Sequence, residues 1–301
     1  MYKLKHLEIY ASEIAGFLSS VLHGEDILIS SFCSVKSFRT NSIAFVKGET
    51  EMKSLTNKLM PGVLLIIPAN IETVETIKTF IRSENPELDF IKIINEYFTE
   101  PITGGISATA VISKETRISR NVTVGEHTVI GPEVSIGENT EILNNVVVYG
   151  KVSIGSNCLV KDNATIGSMG YNYVSDEKGL PFQYPNLGRI IIGDHVTIGS
   201  NSTIESASTE DTVIMDFVKI DDLVHVGYNS IIGKGSMIEA GSVISRNVRI
   251  AEDCIIAPNS TLAENISVRS KVIVGIGSVV LSDLEEEGVY VGNPARFLRK
   301  V

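Results

Sequence analysis

The chain has 301 residues, of which 43% are hydrophobic and 21% charged, which suits two domains with buried cores and excludes a disordered chain. A formal net charge of −10 excludes a general binder of the phosphate backbone, which needs a basic stripe, so no nucleic-acid partner is expected. The three dispersed cysteines, Cys33, Cys158 and Cys254, fit neither a disulfide framework nor a zinc site, and no metal is expected.

The opening "MYKLKHLEIYASEIAGFLSS" lacks a basic region followed by a continuous apolar run, so no signal peptide is expected. No window approaches the ~20 apolar residues of a transmembrane segment, and the expected location is cytoplasmic. Residues 7–22 have helical apolar spacing. Residues 26–35, 41–47 and 62–69 read as short strands, and 71–85 ("IETVETIKTFIRSEN") as a second amphipathic helix. Together they predict a small α/β domain over residues 1–104. It contains His6 and His23, away from the expected chemistry.

From Ile106 an aliphatic residue returns every six positions, as at Ile112, Ile118, Val124 and Ile130, and again from Ile214 through Ile220, Val226, Ile232 and Ile238 to Val280. A six-residue beat fits neither a 3.6-residue helix nor a free-standing alternating strand. It fits short strands on the flat sides of a prism, with the first and fifth residues of each unit inward and Gly, Asn and Asp at the corners. The chain is therefore expected to be mainly β, a parallel β-helix of hexapeptide repeats over 105–283, after the α/β domain and before a short tail, 284–301. Its left-handed winding is taken from resemblance to known hexapeptide-repeat proteins. Cys158 and Cys254 take the small fifth position and read as core. His127 and His195 take the fourth, at corners. Two interruptions break the beat, Ser168–Arg189 and Ser206–Val213, and such insertions map to loops on one face, often a binding face.

The order of these parts, with "IGDHVTIGSNSTIESASTEDTVIMDFVKIDDLVHVGYNSIIG", "NLGRIIIGDHVTIG" and "LHGEDILISSFCSVKSFRTNSIAFVKG", resembles the UDP-3-O-acyl-glucosamine N-acyltransferases of lipid A biosynthesis over nearly the whole chain. The resemblance implies a homotrimer with clefts between adjacent prisms, a nucleotide-linked amino sugar as acceptor, an acyl thioester as donor, and no tightly bound cofactor. It also implies that the first domain holds the nucleobase. Departures are informative. Where the family's motif reads Ile-Ala-His-Asn with the histidine as general base, this chain has Val226-Gly227-Tyr228-Asn229. A second family histidine, associated with the oxyanion, falls at Asn265. Of the aromatic pair on the nucleobase, Phe45 is kept but Glu51 replaces a tyrosine, and the family's Asp-Arg pair is Glu205-Ser206. After "VGNPARFLRK" the C-terminal helical extension used with acyl carrier protein is missing, and the tail resembles acetyltransferases that use coenzyme A.

Transfer of an acyl group from a thioester to an amine needs alignment, a base for the amine proton and a donor to the oxyanion. His225, sixth in its unit, points outward by strand alternation and is either the general base or an interface histidine. Tyr228 either positions substrate by its hydroxyl or fills space, and Asn229 either orients a partner or turns a corner. Asn265 and a backbone N–H near Gly241 are either oxyanion donors or ordinary turn chemistry at a corner. Asn293, Arg296 and Arg299 either meet coenzyme A phosphates or cap the prism. The first expectation is thus an N-acyltransferase using acyl-CoA and a nucleotide-linked amino sugar for bacterial surface glycan synthesis. The alternatives are the lipid A enzyme using acyl carrier protein, or a β-helix scaffold without catalysis.

Overall fold

The computed structural model describes residues 2–5, 7–55, 61–72, 77–101 and 105–300. His6 and the expected boundary at residues 102–104 lie outside the described residues. The chain forms two compact units, Met1–Ile102 and Thr103–Val301.

The first unit is built on a five-stranded sheet in the spatial order Leu22–His23, Thr79–Ser83, Val63–Pro68, Ser42–Phe45, Ser31–Phe32. Its first pair is antiparallel and the rest are parallel. Val63 to Ile67 are all buried, because a central parallel strand is covered on both faces. Leu64 and Ile66 pack with helical residues Ile14 and Ile93, while Leu65 and Ile67 face Met52 and Leu55. The helix expected over 7–22 is shorter, Ala11–Phe17.

The helix expected over 71–85 is corrected. Residues 73–76 lie outside the described residues, and Thr79–Ser83 is a strand with Thr79, Ile81 and Ser83 buried and Phe80 and Arg82 half-buried. The strand period of two was present in "TFIRS", and sheet pairing to Val63–Pro68 settles it. The helix lies next in the chain, Pro86–Ile93. Asn85 caps it by accepting from the Leu88 N–H at 3.1 Å, Pro86 begins it, and Glu87 and Asp89 occupy its first turn.

The second unit is a left-handed parallel β-helix of hexapeptide repeats. Among the described residues its three sheets have nine, eight and ten strands, most of two residues, and each strand except the last, Arg296–Arg299, pairs with the one a full coil away. The first and fifth positions fill one continuous core, from Val122 through Ile154, Cys158, Ile198, Val226 and Cys254 to Val280. Polar fifth residues are also buried and matched. Ser230 Oγ donates to the Ser245 carbonyl at 3.0 Å and accepts from the Val248 N–H at 3.1 Å. Burial pushes the Cys158 and Cys254 thiols up from their ordinary value. Fourth positions turn the corners with left-handed backbone, as at Asn229 (φ 57°), Asn265 (62°), His127 (56°) and His195 (58°). The tail adds strands to one of the three sheets. Val289–Val291 pairs in parallel with Ile273–Val274, and Arg296–Arg299 folds back antiparallel to it.

Candidate active site

The two interruptions of the beat form one structure. The longer loop carries an antiparallel hairpin, Tyr173–Ser175 with Pro181–Gln183, and then runs back along the shorter insertion. The N–H groups of Leu187 and Gly188 donate to the carbonyls of Ser208 and Ala207 at 3.0 and 3.1 Å, and Asn186 Nδ2 donates to the Ser206 carbonyl at 2.6 Å. A Cβ on Gly188 would lie 2.0 Å from the Glu210 carbonyl oxygen, so only glycine allows this approach. Arg189 closes the strap with two side-chain bonds to Asp211, of 2.7 and 3.2 Å, and one from its backbone N–H at 3.3 Å, which hold the Asp211 carboxyl below its ordinary range.

Beneath the loop, five side chains come together. Strand Thr203–Ser206 runs past the end of its hexad and carries Glu205, 9% exposed. One carboxylate oxygen, Oε2, accepts the backbone N–H of Tyr228 at 3.2 Å, and the other, Oε1, lies 3.7 Å from Nε2 of His225. His225 keeps 40% of its side chain exposed, as the outward sixth position requires. Tyr228 is 5% exposed, and its hydroxyl accepts a bond from Arg246 Nη1 at 3.1 Å. Arg246 in turn binds Glu264, Nε to Oε2, at 2.6 Å. The Tyr228 hydroxyl first, and then Glu264, hold the Arg246 guanidinium above its ordinary range. Gly170 from the long loop presses on the tyrosine, since a Cβ there would fall 2.3 Å from Cδ1 of Tyr228 and 2.8 Å from Oε2 of Glu205.

Asn229 has a structural task beside this cluster. Its Oδ1 accepts the Ser208 N–H at 3.0 Å and its own N–H donates to Thr212 Oγ1 at 3.0 Å, tying the short insertion to the corner. The remaining candidates are not brought to the cluster. Asn265 is exposed at the same corner two coils on, where its Oδ1 accepts from Asn247 at 2.8 Å. The Gly241 N–H itself donates to the Asp222 carbonyl at 3.0 Å within the coil. Asn293, Arg296 and Arg299 are exposed at the coil's C-terminal end. Arg246, Glu264 and Gly170 escape a reading of hexads one at a time. The signal for the first two is the coil length of 18 residues, which stacks Tyr228, Arg246 and Glu264 in one column. Among the described residues no group of three or more His, Cys, Asp or Glu side chains could hold a metal ion.

The first unit has its own candidate pocket, about 420 Å³, lined by Phe32, Cys33, Ser34, Ser37, Arg39, Phe45 and Phe90. Phe45 and Phe90 meet at 4.9 Å between ring centres, tilted by 43°. An aromatic wall with one guanidinium and two hydroxyls suits a planar, polar-edged ring. Glu51 is not part of it. Its Oε2 accepts the Lys47 N–H at 2.8 Å, and Glu51 is absent from the pocket wall.

The coil matches a family model described as bacterial transferase hexapeptide (six repeats) at residues 133–168, 211–246 and 229–264, and one described as hexapeptide repeat of succinyl-transferase at 189–214. Among curated relatives, a UDP-3-O-acylglucosamine N-acyltransferase of Coxiella burnetii is 31% identical over 205 residues, 62% of this chain and 59% of the relative. Another, from Campylobacter lari, is 30% identical over 118 residues, 38% of this chain and 36% of the relative. The chain thus spans between about a third and three fifths of these relatives' length. Among solved structures, LpxA from Acinetobacter baumannii superposes with a TM-score of 0.59 at 24% identity, covering 64% of this chain and 73% of that one. LpxA of Bacteroides fragilis, a UDP-N-acetylglucosamine acyltransferase, gives the same score at 23% identity, covering 64% and 74%. The structural likeness is one of fold.

Proposed function

We propose that this hexapeptide-repeat protein is an acyltransferase of the lipid A type, moving a 3-hydroxyacyl group from a thioester to the amine of UDP-3-O-acylglucosamine. The observation that carries the reading is the Glu205–His225 pair beside Tyr228, under a loop strapped to the coil. The curated relatives are named for this acceptor, which supports the lipid A reading over the broader nucleotide-linked amino sugar expected first.

In the proposed reaction the amine nitrogen attacks the thioester carbonyl carbon, forming the C–N bond as the carbonyl π pair moves onto oxygen. His225 Nε2 takes the amine proton, and Glu205 steadies the imidazolium that results. Collapse of the oxyanion breaks the C–S bond, and the departing thiolate takes the proton back from His225. Phe45 and its pocket hold the uracil ring by stacking. A homotrimer is part of the proposal. Leu223, Ile276 and Leu281 on the coil are 64%, 77% and 61% exposed, which favours association of copies along it.

The donor is read as 3-hydroxyacyl carrier protein. A second reading, acyl-CoA, is favoured by exposed Arg296 and Arg299 after the Asn293–Pro294 turn, cations suited to nucleotide phosphates. Thiol release measured with UDP-3-O-acylglucosamine and each donor in turn tests both. Release with the carrier-protein thioester supports the first, and release with acyl-CoA alone supports the second. Release with neither leaves the scaffold reading, and ultracentrifugation of the same protein tests the trimer.

A further inference from the structure

We propose that Tyr228 donates its hydroxyl proton as a hydrogen bond to the thioester carbonyl oxygen, and that Arg246 and Glu264 are positioning residues that set this hydroxyl. The inference rests on the acyl-transfer reading.

Tyr228, Arg246 and Glu264 are the third residues of the hexads that begin at Val226, Ile244 and Leu262, so they stand one above another on successive coils about 4.8 Å apart. The column is chemically ordered. Glu264 Oε2 takes the Arg246 Nε–H at 2.6 Å, and Arg246 Nη1 donates to the Tyr228 oxygen at 3.1 Å. The tyrosine oxygen is therefore an acceptor within the protein. Its own proton meets no acceptor among the described residues. With its oxygen taken as an acceptor from Arg246, the hydroxyl can offer its proton to a bound group. A bond received from a guanidinium also polarises the O–H group and makes it the better donor.

The ring is held from several sides. Glu205 Oε2 takes its backbone N–H at 3.2 Å, Gly170 allows no side chain between loop and ring, and the Arg246 guanidinium carbon is 6.0 Å from the ring centre. At 5% exposure the residue is nearly dry, where a fixed donor acts most strongly on developing charge. Glu205 also connects the two roles, since its second oxygen faces the His225 imidazole. Base and oxyanion donor then lean on the same carboxylate.

The test has an arm without turnover and an arm with it. The first compares binding of a 3-hydroxyacyl-pantetheine thioester with its thioether counterpart, which lacks the carbonyl oxygen. The wild type is expected to favour the thioester about tenfold, the worth of one hydrogen bond. Tyr228→Phe and Arg246→Ala should erase that preference, and Arg246→Lys should restore part of it. In the second arm, Tyr228→Phe should lower kcat about 10²–10³-fold with KM for the acceptor unchanged, the loss typical of one oxyanion donor. Arg246→Ala in the Tyr228→Phe background should then add little, and Glu264→Gln alone should give a smaller kcat loss. Equal binding of both probes by the wild type overturns the inference, as does a Tyr228→Phe variant with unchanged preference and kcat, or full multiplication of the two losses. A wild type that keeps the preference but never turns over overturns the acyltransferase reading and leaves the donor assignment standing.

Discussion

Nε2 of His225 lies 3.7 Å from Oε1 of Glu205, and the other oxygen of that carboxylate accepts the Tyr228 backbone N–H at 3.2 Å. One buried acid thus faces a half-exposed imidazole and holds the turn that follows it. As the proposed proton acceptor, His225 is the residue whose loss is felt first. His225→Ala is expected to lower kcat about 10²–10⁴-fold, the usual worth of general base catalysis. Glu205→Gln keeps an acceptor for the Tyr228 N–H but removes the charge facing the imidazole, so its kcat loss should be smaller with folding intact. Initial rates of thiol release, alongside circular dichroism of both variants, check this. Unchanged rates in His225→Ala would remove it as the base.

Gly170 makes a second, steric prediction. With a methyl group 2.3 Å from the Tyr228 ring and 2.8 Å from Glu205, the loop has to lift or the ring has to shift. Gly170→Ala is expected to cost about 1–3 kcal/mol, as overpacking usually does, and to lower kcat more than it changes acceptor KM. A denaturation midpoint and a kinetic comparison read the two effects separately. In a Tyr228→Ala background, Gly170→Ala should add little further cost, because the obstructing ring is gone. A full cost in that background would show that the contact with Glu205, and not with the ring, is limiting.

How much of this was legible in the sequence differs between the two units. In the coil, the aliphatic beat is imposed by geometry that repeats from coil to coil, as at Ile198, Val226 and Ile256, so inward positions, corners and the outward His225 could all be read. In the first unit the period competes with pairing. Residues 79–83 carry both helical spacing and strand alternation, and only the neighbouring strand Val63–Pro68 decides between them. The helix at Pro86–Ile93 had its signal in "NPELD", a cap, a first-turn proline and two acids, and the strong apolar spacing just before it masked that signal. At the site, Tyr228 stood out by resemblance, whereas Arg246 did not. Its partner is a full coil away, and a contact of that kind is visible only once the coil length is known.

The strap between the insertions should be sensitive to acid. Asp211 has its carboxyl held below the ordinary 3.8, first by the side-chain bond from Arg189. A carboxyl lowered in the folded state stabilises above the unfolded value and loses that contribution as pH falls through the lowered value. Protection against hydrogen exchange across residues 168–189, with the intrinsic slowing of amide exchange in acid divided out, should therefore fall as the pH drops below about 4, the ordinary aspartate range. Asp211→Asn should exchange faster already at neutral pH and lose the acid step. Added salt should mimic part of the effect, because the Arg189 side chain is 62% exposed. An acid step that persists in Asp211→Asn would assign it to another group.

In the first unit, the departure at Glu51 and the retention of Phe45 lead to opposite expectations. Phe45 lines the aromatic pocket with Phe90 and Arg39, while Glu51 is occupied by the Lys47 N–H. If that pocket takes the uracil ring, Phe45→Ala should weaken UDP binding by the worth of one stacked base, about 1–3 kcal/mol or roughly 5- to 150-fold. Glu51→Gln retains an acceptor oxygen and should leave UDP affinity within about twofold, while Glu51→Ala should destabilise the short turn at Glu49–Lys53 instead. Isothermal titration with UDP, with a thermal midpoint for each variant, separates the two roles. A large loss of UDP affinity in Glu51→Gln together with none in Phe45→Ala would move the nucleobase out of this pocket and onto the surface around Lys47.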